Sequence, residues 1–213
     1  LAHFAKVNDA MAQVFRELRV SLPIRTLFAH KTVRALAQHI EAAGQTTQST
    51  LTVADRSQPL PLSSSQEQIW LTCQVHSAVP LYNEPYALTI KGPLSVDALR
   101  HALDDLVVRH EVLRTTFVVC DGQPRQRIHP PSPVSLPIVD LGHLDGTEQA
   151  RAVRVLHDES AQQLFDLAAL PLWRATLCRL SPDEHRLLLV FHHAIFDGVS
   201  LANVLLPELW ALY

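Results

Sequence analysis

Apolar and polar positions along this chain switch between a period of two and a period near 3.6, and the switches divide it into elements. Residues 187–191, Leu-Leu-Leu-Val-Phe, form a short unbroken apolar run that predicts a strand buried on both faces. After seven intervening residues, from Val199 to Leu206, apolar positions recur at helical spacing, so a strand, a loop and a helix follow one another there. Upstream, the same reading predicts strands over 86–90, 113–120, 126–128 and 173–180, with helices over 96–110 and 148–164. Asp121-Gly122 and the run Ser181-Pro182-Asp183-Glu184 mark tight turns between strands. Pro59 and Pro61 bias their predecessors away from helix, after which Ser63 to Ser65 can cap a helix over 66–73. Pro207 predicts a kink or break in the final helix, 199–213. Alternating element types of this kind predict an α/β fold, a mixed sheet with helices.

The first residues read differently. Met11, Val14, Phe15 and Leu18 recur at three and four residues and predict an amphipathic helix. A second helix starts at Thr32, a good cap, with apolar residues at 33, 36, 37 and 40. Residues 45–58 are polar and aperiodic, as a linker is. The expected organisation is therefore a helical segment over 1–44, a linker over 45–58 and the α/β body over 59–213.

Composition narrows the class of function. The chain has 213 residues, 47% hydrophobic and 18% charged, with a formal net charge of -3, and no basic patch suited to a nucleic-acid backbone. No apolar run approaches the roughly 18 residues of a membrane span, and the first residues lack the basic-then-apolar order of a signal peptide, so the expected setting is cytoplasmic without membrane or nucleic-acid partners. Cys73, Cys120 and Cys178 are odd in number and widely spaced, without metal-ligand spacing, and are expected as small buried hydrophobes. No metal site is expected. Trp70, Trp173 and Trp210 are expected to pack rather than bind.

Candidate chemistry concentrates in His192-His193-Ala194-Ile195-Phe196-Asp197-Gly198, which places a titratable base at a strand end and an acid-glycine pair at a helix start. Such a junction presents side chains together with free backbone N–H groups, a combination suited to acyl transfer. Continued strand geometry sends His192 and His193 to opposite faces, one of them toward the core, without choosing which.

Two further segments lie upstream in a definite order: Ser63-Ser64-Ser65-Gln66-Glu67-Gln68-Ile69-Trp70 and Arg109-His110-Glu111-Val112-Leu113-Arg114-Thr115-Thr116-Phe117. Together with the histidine motif these resemble the condensation domains of non-ribosomal peptide synthetases, with Gln68 standing where the family usually has arginine. Tyr82-Asn83-Glu84-Pro85, Gly92-Pro93-Leu94, Phe165-Asp166-Leu167 and Pro171-Leu172-Trp173-Arg174 extend the similarity over residues 59–213. The resemblance implies the N-terminal lobe of a chloramphenicol-acetyltransferase-like fold, the first of two lobes. It implies amide formation between a donor thioester and the amine of an acceptor, each tethered to a carrier domain.

In that chemistry His193 faces the tunnel, as a general base or as a group that orients the amine, and His192 is its structural partner. The resemblance also pairs Asp197 with an arginine of the second segment, for which Arg114 is the candidate. Gly198 would bring its N–H toward the developing oxyanion. Residues 22–28 and 32–40 look like the last part of a carrier domain. Counting back to the position that holds phosphopantetheine reaches Phe4, which has no nucleophilic oxygen. The 4′-phosphopantetheine is therefore expected on partner domains, an upstream donor carrier and a downstream acceptor carrier, working with the adenylation domain of the same assembly line. The alternatives are a related acyltransferase that takes a diffusible acyl thioester, and a non-catalytic carrier-docking fragment.

Overall fold

The structure, a computed structural model, describes residues 13, 14, 17, 18, 20, 26, 29, 30, 32–43 and 53–213. The chain divides into two compact units, residues 1–54 and 55–213. In the first, Gln13, Val14, Glu17 and Leu18 are helical, while Met11, Phe15 and the Phe4 position lie outside the described residues. Helix α1, Val33–Ala43, begins where expected, with Thr32 Oγ1 accepting the Ala35 N–H at 3.2 Å. Its stripe differs from the one read off the sequence: Leu36 and Ile40 are half-buried, but Val33 is 87% exposed and Ala37 is exposed too.

The second unit carries the α/β body. Its elements are β1 (Leu60–Pro61), α2 (Ser64–Val75), β2 (Asn83–Lys91), α3 (Val96–Arg109), a 3₁₀ turn (Glu111–Arg114), β3 (Thr115–Cys120), β4 (Gln123–Ile128) and β5 (Ile138–Asp140). After these come α4 (Gly146–Gln162), β6 (Trp173–Ser181), β7 (Glu184–His192), the short turn α5 (Gly198–Ser200), a π turn (Leu201–Leu205) and α6 (Leu206–Leu212). The strands form the mixed sheet expected, of four strands, and beside it a second sheet of three. One has the order β2-β7-β6-β5 and the other β1-β4-β3. All neighbours are antiparallel except β5 and β6.

Strand β7 is the centre of the larger sheet, and its residues from Leu187 to His192 are buried without a break, as a strand covered on both faces requires. Leu187, Leu189 and Phe191 pack into the cluster containing Leu99, Leu103 and Leu106 of α3 and Leu209 of α6. Leu188, between them, faces the other way, into Cys178, Leu180 and Leu141 beneath Val153 and Leu156 of α4. The strand starts three residues earlier than its apolar run, since Glu184, His185 and Arg186 pair with Lys91, Ile90 and Thr89. Similarly, β2 extends back to Asn83, in register with His192.

Turn chemistry follows the sequence. Asp121 and Gly122 have φ of 51° and 74°, the two positive values of a type I′ hairpin turn, and they join β3 to β4. Residues 111–114, where the sequence reading began a strand at 113, form the 3₁₀ turn instead, with Thr115 Oγ1 donating to the Glu111 carbonyl at 2.8 Å. Pro207 does not break the last helix. The Leu206 N–H reaches back five residues to the Leu201 carbonyl, and the widened turn places Pro207 in the first turn of α6, where no N–H is needed.

Cys178 is buried, Cys73 and Cys120 are half-buried, and all three are free thiols. Trp173 is buried, Trp70 packs against the core, and Trp210 is 41% exposed, more open than expected. Among the described residues no helix is long and apolar enough to cross a membrane.

Candidate functional site

The site is built where β7 leaves the sheet. Its last pairing sets His192 opposite Asn83, after which the His193 N–H donates to the Tyr82 carbonyl at 2.8 Å and the chain turns through Ala194 to Phe196. The two rings then part, as period two requires.

His192 takes the core. It is 4% exposed, with Tyr82 and the edge of Phe165 around its ring at centroid distances of 6.2 and 6.0 Å. Its Nδ1 accepts the Ala194 N–H at 3.2 Å, so the neutral ring carries its hydrogen on Nε2, which lies 3.7 Å from Cys73 Sγ. Burial, reinforced by the neighbouring His193, pushes the imidazole down to about 4, and it is neutral at pH 7. Burial likewise pushes the Cys73 thiol up, so this pair is a thiol beside a neutral ring rather than a thiolate-imidazolium couple.

His193 faces outward, with its side chain 37% exposed. Its Nδ1 lies 2.7 Å from the Phe196 carbonyl oxygen. A carbonyl only accepts, so Nδ1 bears the hydrogen, and the neutral ring holds its lone pair on Nε2. Tyr82 lies nearly parallel to the ring, 17° between planes at 6.4 Å, and Glu84 Oε1 is 3.8 Å from Nδ1.

Asp197 and Arg114 do not form the ion pair expected between them. Asp197 Oδ1 accepts the Ser200 N–H at 2.7 Å and the Ser200 hydroxyl at 2.6 Å, which makes it the N-cap of α5. The Ser200 hydroxyl first, then its amide, hold the Asp197 carboxyl below the usual range against a smaller opposing effect of burial. Arg114 donates elsewhere, from Nε to the Val107 carbonyl at 3.1 Å and from Nη1 to the His129 carbonyl at 2.6 Å, joining the end of α3 to the residue after β4. Each group is satisfied by neighbours close in sequence, and this displaces the long-range pair. Gly198 has no positive φ, and a Cβ there would meet nothing nearer than the Tyr86 hydroxyl at 3.9 Å. Its small size leaves room in front of the motif rather than relieving a clash within the protein.

Four residues that the sequence reading did not assign to the site complete it. Gln66 forms a capping box with Ser63 at the start of α2, and its Nε2 reaches the Ala194 carbonyl at 3.2 Å and Gln126 Oε1 at 3.3 Å. Gln126 in turn donates to the Pro61 carbonyl at 2.9 Å, so the small sheet, α2 and the histidine loop are tied by one chain of amides. Glu84 Oε2 accepts the Tyr86 hydroxyl at 3.0 Å. Burial first, then Glu84 and the charge of Asp197, push the Tyr86 phenol up to about 12, which keeps it a donor. The signal for this pair was present: Glu84 occupies the same face of β2 as Tyr86, Leu88 and Ile90, an unusual place for a carboxylate.

Other motif residues are structural. Asn83 Nδ2 donates to the Ala161 and Gln163 carbonyls at 2.7 and 2.9 Å, and Arg174 donates to the Gln163 and Leu164 carbonyls while its guanidinium lies 3.7 Å from the Phe165 ring centroid. Together they close the C-terminal end of α4. Arg109 and His110 both meet Glu208 of α6, at 3.1 and 2.7 Å. A cleft of about 660 Å³ adjoins His192, between Trp70, Cys73, Tyr82 and Phe165. A second, of about 700 Å³, lies between α4 and Trp173. Among the described residues no group of three or more His, Cys, Asp or Glu side chains is placed to hold a metal ion.

Comparison with known proteins matches this arrangement. Chondramide synthase cmdD of Chondromyces crocatus is 43% identical over 154 residues, which are 72% of this chain and 4% of that protein. Tyrocidine synthase 3 of Brevibacillus parabrevis is 36% identical over 211 residues, 99% of this chain and 3% of that protein. The chain thus spans a few hundredths of the length of these relatives. Among solved structures, the first condensation domain of the calcium-dependent antibiotic synthetase superposes with a TM-score of 0.66 at 28% identity, over 71% of this chain and 36% of that one. A variant of the starter condensation domain of the rhizomide synthetase RzmA, in complex with C8-CoA, gives a TM-score of 0.68 at 27% identity, over 74% of this chain and 35% of that one. The α/β architecture expected from the sequence is theirs. The model of the condensation-domain family matches residues 56–213, a span that holds the paired histidines and both sheets, and the chain belongs to that family.

Proposed function

We propose that this chain is the N-terminal lobe of a condensation domain in a non-ribosomal peptide synthetase, preceded by the end of a carrier domain. It would work with an upstream donor carrier and a downstream acceptor carrier, each bearing its substrate on 4′-phosphopantetheine, and with the adenylation domain of the same cytoplasmic assembly line. The observation that carries the reading is the hydrogen bond from His193 Nδ1 to the Phe196 carbonyl, which leaves the Nε2 lone pair outward at the end of β7. An amine attacks a thioester as the free base and sheds a proton as the C–N bond forms, and a neutral imidazole with Nε2 open accepts that proton or holds the amine in line. His192, neutral and buried, supports the turn that presents it. The match of tyrocidine synthase 3 over 99% of the chain, well upstream of residue 56, supports a place inside a synthetase for the first residues too.

The test is amide formation by the parent protein with loaded carriers, beside a His193→Ala variant. The variant is expected to retain its circular dichroism and melting temperature and to lose product by about a hundredfold or more, the usual weight of a positioned acid-base group. A folded His193→Ala protein with unchanged product would end the assignment. A second reading, transfer from a diffusible coenzyme A thioester, is favoured by the RzmA neighbour bound to C8-CoA. Product formed from octanoyl-coenzyme A without a donor carrier would select it.

A further inference from the structure

Glu84 stands beside the histidine and has no part in holding the fold's helices or loops together. It lies on the core-facing side of β2 yet its side chain is 38% exposed, and it opens toward the same side as His193. Its two oxygens are differently engaged. Oε2 accepts the Tyr86 hydroxyl at 3.0 Å, and Oε1 lies 3.8 Å from His193 Nδ1. Tyr86 is itself wedged between Phe191 and Phe196, at ring centroid distances of 6.4 and 6.1 Å, so the donor that aims Glu84 is held by the core.

Resting on the condensation reading above, we propose that Glu84, aimed by Tyr86, is a positioning residue for His193, whose carboxylate stabilises the ring while it carries the proton of the attacking amine. The amine nitrogen forms its bond to the thioester carbonyl carbon and gives a proton to Nε2. The C–S bond breaks with its electron pair on sulfur, and the thiolate takes the proton back from Nε2, so that amide and thiol are the products. Between those transfers the ring is a cation with Nδ1–H still bonded to the Phe196 carbonyl, and a carboxylate 3.8 Å away lowers the energy of that state. Of the other groups around the ring, Tyr82 contributes a ring face and a carbonyl to the His193 N–H, His192 is neutral and Tyr86 is a phenol. Asp197 is a second carboxylate whose charge acts on His193 while its Oδ1 accepts from Ser200, but among the described residues the carboxylate within ion-pair reach of the ring is that of Glu84.

The experiment is the single-turnover rate of amide formation against pH in the parent synthetase with preloaded carriers, for Glu84→Gln, Glu84→Asp, Tyr86→Phe and His193→Ala. For a half-exposed pair, Glu84→Gln is expected to slow the step roughly two- to fivefold at saturating substrate and to leave KM for both carriers unchanged. Its profile carries the sharper sign. Without the carboxylate the ring gives up its proton more readily, so the acid limb moves to lower pH, while Glu84→Asp restores the original limb in part and Tyr86→Phe moves it in the same direction as Glu84→Gln but less. A purely structural role would lower the melting temperature and leave the limb in place. A folded Glu84→Gln protein with an unmoved limb overturns the inference, and if that variant does not fold, an unmoved limb in Tyr86→Phe overturns it. Unchanged product in His193→Ala removes the condensation reading itself, whereas loss of product there with an unmoved limb in Glu84→Gln removes only the role of Glu84.

Discussion

His192 and His193 share a strand end and differ in what surrounds them, and stability against pH distinguishes them. The folded chain keeps His192 neutral down to about 4, whereas an unfolded histidine binds its proton near 6.5. A depressed histidine stabilises the fold fully above the unfolded value and loses that contribution as pH falls from 6.5 to about 4. The loss amounts to something on the order of 3 kcal/mol. Urea midpoints measured at pH 7 and 4.5 are expected to fall further in the unaltered protein than in His192→Gln, which has no proton to gain. At this scale the sequence revealed the motif and the opposite facing of its histidines, because both follow from local period. It did not reveal partners. Asp197 bonds within its own turn, Arg114 bonds to the end of α3 and to the residue after β4, and Glu84 and Gln66 reach the site only through strand register and helix placement that span more than a hundred residues.

Among the elements, α4 shows how a motif can be read as chemistry when its work is mechanical. Its last carbonyls have no partners within the helix, and Asn83 and Arg174 supply them from β2 and β6. Asn83→Ala strands the half-buried Ala161 carbonyl, while that of Gln163 keeps Arg174, at a cost of about 1–3 kcal/mol, and a thermal melt is expected to fall by roughly 2–4 °C for each kcal/mol lost. Most elements were legible from apolar run and turn residue, including the Asp121-Gly122 hairpin and the Ser63 cap. Strand ends were not, since Glu184 to Arg186 are polar and become strand only through pairing with β2. The division into two sheets was hidden for the same reason: β1 joins β4 across more than sixty residues, a contact that no local period records.

On the scale of the whole second unit, β7 is the axis. It lies between β2 and β6, contributes to the clusters on both faces of the sheet and ends in the histidine pair. Leu189, fully buried at its middle, is therefore a position where a cavity has little room to collapse. Leu189→Ala is expected to cost about 2–5 kcal/mol in urea unfolding, with activity per folded molecule retained because the turn at its end is held separately by Gln66 and Tyr82. That same turn governs timing in the proposed reaction. With the Nδ1 hydrogen of His193 committed to Phe196, the ring has a single port, and a proton can leave only by the atom through which it entered. In that reaction each cycle must clear that atom, to the departing thiolate or to solvent, before the next amine can be served, so one backbone carbonyl would set the order of proton transfers.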